Sequence, residues 1–348
     1  MVEESSCDLN ASSAAKQTLM LLLSEDPACA VQAAKEIRCL TKTSQSHRRQ
    51  FSAAVTPLVD MLCGGSGNAR EAALAALLNL AVRDDENKMN IINGGALKPI
   101  MSFLESTNAT VQEHAAAALV TLSASSNNKP IIAASGAIPL LVDVLHFGAS
   151  SQARSDAAMA LYNLSTDADN VPLILHAQPI PPLIDLLKSC KKSSKAAEKC
   201  VALIESAVAF EEGRRAVVAE EGGILAVVEV VEGGTGRGRE HGVGALLRMC
   251  ESDEGGEYRD AILGEGAIPG VMELTVEGSG RCRGRAQELL RLLRDPRPEM
   301  ERGAVLYGEV KRVGKANKMV REMAQVSMEQ SFRDIKERAV LCASHLSS

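Results

Sequence analysis

The chain has 348 residues, a formal net charge of −6, 2% aromatic residues and no tryptophan; without a long lysine or arginine block, a general electrostatic grip on nucleic acid is excluded. No segment reaches the roughly 18 continuous apolar residues of a membrane-spanning helix, and the acidic, polar start Met1–Asn10 carries no secretory pattern. The nine cysteines are odd in number and scattered, so they read as reduced thiols of a soluble protein in the cytoplasm, the nucleus or both.

In chain order, residues 1–13 read as a disordered tail, and a helix over about Ala14–Ser24, with Leu19, Leu22 and Leu23, covers the open end of the first repeat. Asp26-Pro27 opens an alanine-rich helix running through Ala33–Leu40. A ten-residue pattern then begins at Ala53 and returns at Gly95, Gly136, Gln178, Gly222 and Gly266, separated by 42, 41, 42, 44 and 44 residues. Its reference copy is Gly136-Ala137-Ile138-Pro139-Leu140-Leu141-Val142-Asp143-Val144-Leu145. A small or polar first residue, glycine in four of six copies, can take the left-handed conformation that ends one helix. A proline early in the next helix loses no hydrogen bond, and Ile138, Leu141, Val142 and Leu145 share one face. The pattern is a helix-to-helix corner.

Roughly 20 residues past each corner lies an alanine- or leucine-rich helix, as in Ala72–Leu80, Ala115–Leu122 and Ala157–Leu164. With Asn79 and Asn163 as reference, the equivalent positions are Cys39, Asn79, Thr121, Asn163, Glu205, Arg248 and Arg291, at spacings of 40, 42, 42, 42, 43 and 43. Two registers with one period describe a single elongated array, overriding the about two or three domains that length alone suggests.

Asn87, Asn128 and Asn170 each stand eight residues before a corner, where asparagine caps a short helix or satisfies the turn before it. Beyond Lys188 the repeats loosen: Lys188–Lys195 reads as a solvated basic turn, and the glycine-dense stretch Glu232–Gly244 as the usual loop, without the lysine of a phosphate-binding motif. Arg294-Asp295-Pro296-Arg297-Pro298 ends the array. The tail, residues 295–348, carries two amphipathic stripes, Met319, Met323, Val326 and Met328, Phe332, Ile335, Ala339, Cys342. Such a basic, methionine-bearing helix either packs on the last repeat or another chain, or binds calmodulin or a membrane surface.

No catalytic, metal or cofactor set is recognisable. Cys342 and His345 form one pair, short of a four-ligand zinc site. His114 and His241 hold matching places but lie three repeats apart, too far for a shared centre.

Three short helices per roughly 42 residues, the Gly-Ala-Ile-Pro corner and the Ala-Leu-x-Asn-Leu helix resemble armadillo repeats, whose period is about 40–47. The opening stretch Ala33-Ala34-Lys35-Glu36-Ile37-Arg38-Cys39-Leu40-Thr41-Lys42 looks like the first repeat of the armadillo domain of plant U-box ubiquitin ligases and their relatives without a U-box. The resemblance implies an all-α fold, a right-handed α-solenoid of about six to seven three-helix repeats with helical caps over residues 14–294. It implies a concave groove, lined by third helices, that holds an extended segment of a protein partner, with Asn79 and Asn163 bonding its backbone. Cys39, Thr121, Glu205, Arg248 and Arg291 depart from that asparagine. The companion positions Ala75, Ala117, Met159, Val201, Gly244 and Gln287 lack the tryptophan of nuclear-import adaptors, which argues against a transport adaptor.

Charge along the expected groove runs from Glu71, Glu113 and Asp156 to Arg248, Arg281, Arg283, Arg285 and Arg291. If these face inward, a partner lays its basic part on the early repeats and its acidic part on the late ones; otherwise the arginines solvate the surface. With about 14 residues before the first helix, no room is left for the U-box that recruits the conjugating enzyme in the related ligases. The expected function is therefore a non-enzymatic scaffold in ubiquitin-linked signalling; the alternatives are a nuclear-transport adaptor, or the substrate-recognition part of a ligase acting with a separate catalytic module and other ubiquitin-pathway proteins.

Overall fold

Alanine and leucine at helical spacing give each repeat a helix that is apolar on more than one side, so it must be covered by neighbours on both flanks. The structure, a computed structural model, describes residues 15–253 and 256–294, and among these every regular element is helical. Among the described residues helix α1 covers 15–22, ending two residues before the expected Ser24, and α2 covers Pro27–Thr41. Six three-helix repeats come after it. They are α3 (Gln45–Gln50), α4 (Val55–Gly64) and α5 (Gly67–Leu80); α6 (Asp85–Asn93), α7 (Leu97–Leu104) and α8 (Ala109–Leu122); and α9 (Lys129–Ala134), α10 (Ala137–Phe147) and α11 (Ser151–Ser165). The later three are α12 (Val171–His176), α13 (Ile180–Ser189) and α14 (Lys195–Ala207); α15 (Glu211–Ala219), α16 (Gly223–Gly233) and α17 (Gly236–Glu251); and α18 (Glu257–Gly264), α19 (Ile268–Glu277) and α20 (Gly280–Arg294). The expected tail and its methionine stripes lie outside the described residues.

The core is one spine. Helices α2, α5, α8, α11, α14, α17 and α20 pack each on the next, with the second helices against them. Ala73, Leu80, Ala115, Leu119, Ala157, Leu161 and Leu164 are completely buried between neighbours. Each fully buried leucine contributes roughly 1.5–3 kcal/mol, and the share that comes from contact with the next third helix is lost to a repeat standing alone. Side-chain caps start the long helices: Asp26 accepts from Ala28 N at 2.9 Å, Ser150 from Ala153 N at 3.0 Å and Thr235 from Gly238 N at 3.0 Å, which stabilises such helices by about 1 kcal/mol each.

The corner forms as expected at Gly95, Gly136, Gly222 and Gly266, all left-handed, and the chain turns by 85° between residues 126–134 and α10. Gln178 takes the same conformation at φ +55° without being glycine. The first copy differs: Ser52–Ala54 is a short 3-10 turn, and Ala54 stays right-handed at φ −75°. A second correction concerns the glycine-dense stretch, which is largely the first half of α17 and not a loop. There the glycines admit close packing, since a Cβ on Gly242 would stand 2.7 Å from Val231 Cγ2.

The three asparagines before the corners are buried and serve the helix that ends, not a ligand. Asn87 Nδ2 donates to Leu80 O at 3.1 Å, Asn128 Nδ2 to Leu122 O at 3.2 Å and Asn170 Nδ2 to Leu164 O at 3.2 Å. In the outer repeats arginine replaces them, Arg48 bonding Thr41 O at 2.8 Å and Arg214 bonding Val208 O at 2.9 Å. Each bonds a carbonyl in the last turn of a helix, where the intrahelical pairing ends.

The left-handed Gln178 gives a direct test. A non-glycine residue there costs roughly 1–2 kcal/mol, so Gln178→Gly should raise stability by about 1 kcal/mol in urea unfolding and Gly136→Ala should lower it by a similar amount.

Candidate functional site

Third helices laid side by side bury three sides in the spine and leave one strip open. Glu71, Asn79, Glu113, Thr121, Asn163 and Arg248 on this strip are half-buried, Arg291 is exposed, and Asp156 and Glu205 are buried at 7% and 6% exposure. The register expected to hold a partner's backbone first holds the protein's own. Asn79 Nδ2 donates to Arg38 O at 2.8 Å, Asn163 Nδ2 to Val120 O at 3.0 Å and Ser123 Oγ at 3.2 Å, and Arg248 Nη1 to Glu205 O at 3.1 Å. Every one of these reaches back to the preceding third helix. The carboxamide oxygens of Asn79 and Asn163 accept no bond from a described residue. Thr121 instead turns its hydroxyl onto Ala117 O of its own helix, at 3.0 Å.

The late half of the strip is filled by a network centred on Glu205. Its carboxylate takes His241 Nδ1 at 2.6 Å and Arg285 Nη1 at 3.0 Å, joining α14, α17 and α20. Gly244 makes the crossing possible, because a Cβ there would lie 2.2 Å from Glu205 Oε1 and 2.7 Å from Arg285 Nη1. Burial works to raise the Glu205 pKa, but the His241 hydrogen bond and the charges of Arg285, His241 and Arg248 outweigh it and hold the carboxyl below its ordinary value. Beside it, Lys199 Nζ sits 4.3 Å over the Tyr162 ring, and Tyr162 meets His241 edge to face at 6.5 Å.

This pairing narrows the two readings of the late arginines. Arg285 is tied to Glu205, Arg248 to a carbonyl, Arg281 approaches Glu240 at 3.5 Å and Arg291 is bonded to Glu288 at 2.7 Å. Four of the five late arginines are thus matched to acceptors of the protein itself, Arg283 is exposed without an ion pair to a described residue, and Glu205 is no free acidic contact. The early half differs: Glu71, Glu113 and Asp156 form no ion pair with a described residue. Asp156 accepts from Gln152 Nε2 at 3.0 Å, and burial pushes its carboxyl up. His114, next to Glu113, has a buried Nδ1 without a partner, and burial lowers its pKa. Periodicity alone could not reveal Tyr162, Lys199 and Arg285 as one group, although Gly244 at the companion position was the visible signal.

Among the described residues no three histidine, cysteine, aspartate or glutamate side chains converge as metal ligands, and no single described helix is long and apolar enough to cross a membrane.

A family model described as the plant U-box protein ARM repeat region matches residues 25–302. U-box domain-containing protein 45 of Arabidopsis thaliana is 31% identical over 100 residues, which cover 29% of this chain and 13% of that protein. U-box domain-containing protein 2 of the same plant is 45% identical over 53 residues, 15% of this chain and 7% of that protein. The chain thus spans only a small part of the curated relatives it matches. Among solved structures, an engineered protein superposes with a TM-score of 0.69 at 22% identity, covering 80% of this chain and 68% of its own. A designed armadillo repeat protein superposes with a TM-score of 0.60 at 21% identity, covering 69% and 99%. These likenesses show the fold.

Two lowered carboxylates and one raised one give opposite acid responses. Glu205 is lowered from 4.5, and Glu211, held by the Tyr258 hydroxyl and by Arg215 and Arg214, is lowered to about 2. Their stabilisation is complete above pH 4.5 and is lost as pH falls through the folded values, so the thermal midpoint should drop across that window; Glu205→Ala should flatten the drop and cost roughly 2 kcal/mol at neutral pH. Asp156 is raised from 3.8, so its charged form opposes folding at neutral pH. Asp156→Asn should raise the thermal midpoint at pH 7, with the gain vanishing below about pH 4.

Proposed function

Because this chain belongs to the ARM repeat family of plant U-box proteins, we propose that it is a non-enzymatic scaffold that binds an extended segment of a partner protein along the third-helix strip, in ubiquitin-linked signalling. The observation that carries this reading is the contrast along the strip. Glu205, Arg285, Arg281 and Arg291 are held in ion pairs of the protein's own, whereas Glu71 and Glu113 keep half-buried carboxylates without an ion pair to a described residue, on the same strip as the open carboxamide oxygens of Asn79 and Asn163. Amide oxygens accept backbone N–H groups of an extended chain, and carboxylates select lysine or arginine side chains on it. The partner segment therefore lies over α5, α8 and α11, with its basic residues there, and no acidic half is placed over the late repeats.

The relatives' U-box domains support placing the chain beside such proteins, as a substrate-recognition element or a competitor whose ubiquitin chemistry resides in a separate module. We place it in the cytoplasm or nucleus, consistent with the free state of the seven described cysteines.

Crosslinking and pull-down from plant cells should recover one partner with wild type and lose it with Glu71→Lys/Glu113→Lys, whereas Arg291→Glu should retain it. Affinity for that partner should fall by at least about tenfold, or roughly 1.4 kcal/mol; unchanged affinity refutes the binding strip. Ubiquitin chain formation by the purified chain with activating and conjugating enzymes alone would refute the non-enzymatic reading.

A further inference from the structure

A second repeated tie runs along the edge where second helices meet third helices. Arg70 Nε donates to Leu62 O at 3.1 Å, Arg154 Nε to Leu145 O at 2.9 Å and Arg239 Nε to Val231 O at 2.8 Å; Lys192 Nζ does the same to Leu187 O. At three of these edges, those of Arg70, Lys192 and Arg239, the cation also reaches the second helix of the next repeat, whereas Arg154 forms no ion pair with Asp185, seven residues after Gln178. Lys192 pairs with Glu229 at 2.9 Å, and Arg239 approaches Glu273 at 2.8 Å as an ion pair without hydrogen-bond alignment. At the first edge Arg70 Nη2 donates to Ser102 Oγ at 3.1 Å while its guanidinium lies 4.5 Å over the Phe103 ring. Ser102, Glu229 and Glu273 stand seven residues after Gly95, Gly222 and Gly266. The same register holds Asp143, seven after Gly136.

At the edge before Asp143 the cation is missing. Gln112 takes its place and performs only the backbone part of its work: Nε2 donates to Leu104 O at 2.8 Å and Oε1 accepts from Ala149 N at 2.8 Å. No charge is delivered to Asp143, which forms no ion pair with a described residue. At this point the surface opens into a cavity of about 430 Å³ that Gln112 helps to line, with Leu104, Leu140, Val144 and Phe147 as its apolar lining and Glu105 and Asp143 exposed on it. The Phe147 ring is 76% exposed and stacks on His146 at 4.0 Å.

We propose that this cavity is a docking site for an arginine side chain carried by a partner protein, which supplies from outside a cation such as Lys192 and Arg239 supply from within to the same register at later edges. The site lies away from the third-helix strip and does not depend on the binding proposed there. An aliphatic stem fits against Leu140 and Val144, and the guanidinium meets two unpaired carboxylates and an aromatic face, as Arg70 meets Phe103 one edge earlier. Charge selects the occupant: a carboxylate or phosphate would face Glu105 and Asp143 with like sign.

The test is a methyl NMR titration of the full chain with a short glycine-serine peptide bearing one central arginine, against the same peptide bearing citrulline, a neutral isostere. The expected result is a saturable shift of the Leu140 and Val144 methyls with the arginine peptide only. It should be lost in Asp143→Asn, an exposed change, and in Gln112→Arg, which fills the seat internally. Equal shifts with citrulline, persistence of the shift in Asp143→Asn, or shifts confined to Met159 and Val120 on the third-helix strip would overturn the proposal.

Discussion

No repeat in this protein can hide its own third helix. Ala157, Leu161 and Leu164 are fully buried only because α8 and α14 flank α11, so each unit supplies half of its neighbour's core. The sequence period arises from that dependence, since a face that must match the next face is constrained to repeat. With 2% aromatics, the spine is made of modest side chains, and close approach of helices replaces bulk.

Such an array creates many helix ends in little space, and a recurring set of its polar residues answers the carbonyls there. Asn87, Asn128 and Asn170 answer the ends of third helices, Arg70, Gln112, Arg154 and Arg239 the ends of second helices, and Asn79, Asn163 and Arg248 lean back on the preceding third helix. Three registers of side chain thus serve the backbone before anything else. The binding proposed above draws on places where a register is interrupted or half used: a carboxamide oxygen left over, a carboxylate without its arginine. This accounts for how the relation to plant U-box proteins can coexist with a surface whose polar character is mainly structural.

The fold was legible because its signals are local. Glycine and proline mark Gly95, Gly136 and Gly266 as corners, and the alanine-leucine period marks the spine. The copy at Ala53 was misleading since the pattern there folds into a 3-10 turn without any left-handed residue. The stretch around Gly236–Gly244 looked like a loop because glycine disfavours helices; tight contact with Val231 and Glu205 overrides that preference. The candidate site was less legible. Its residues all fall on the helices of the spine, but charge was counted residue by residue, whereas Glu205 meets a partner 80 positions away. A one-dimensional period shows what recurs, not which opposite charges meet across two repeats.

Ties in the early repeats join nearest neighbours, while the Glu205 carboxylate fastens α14 to both α17 and α20 through Gly244's vacant flank. In a linear lattice this is a second-neighbour coupling added to first-neighbour terms. Pulled from its two ends, such a chain would peel repeat by repeat on the early side and resist as a single block on the late side, giving the molecule a compliant half and a stiff half.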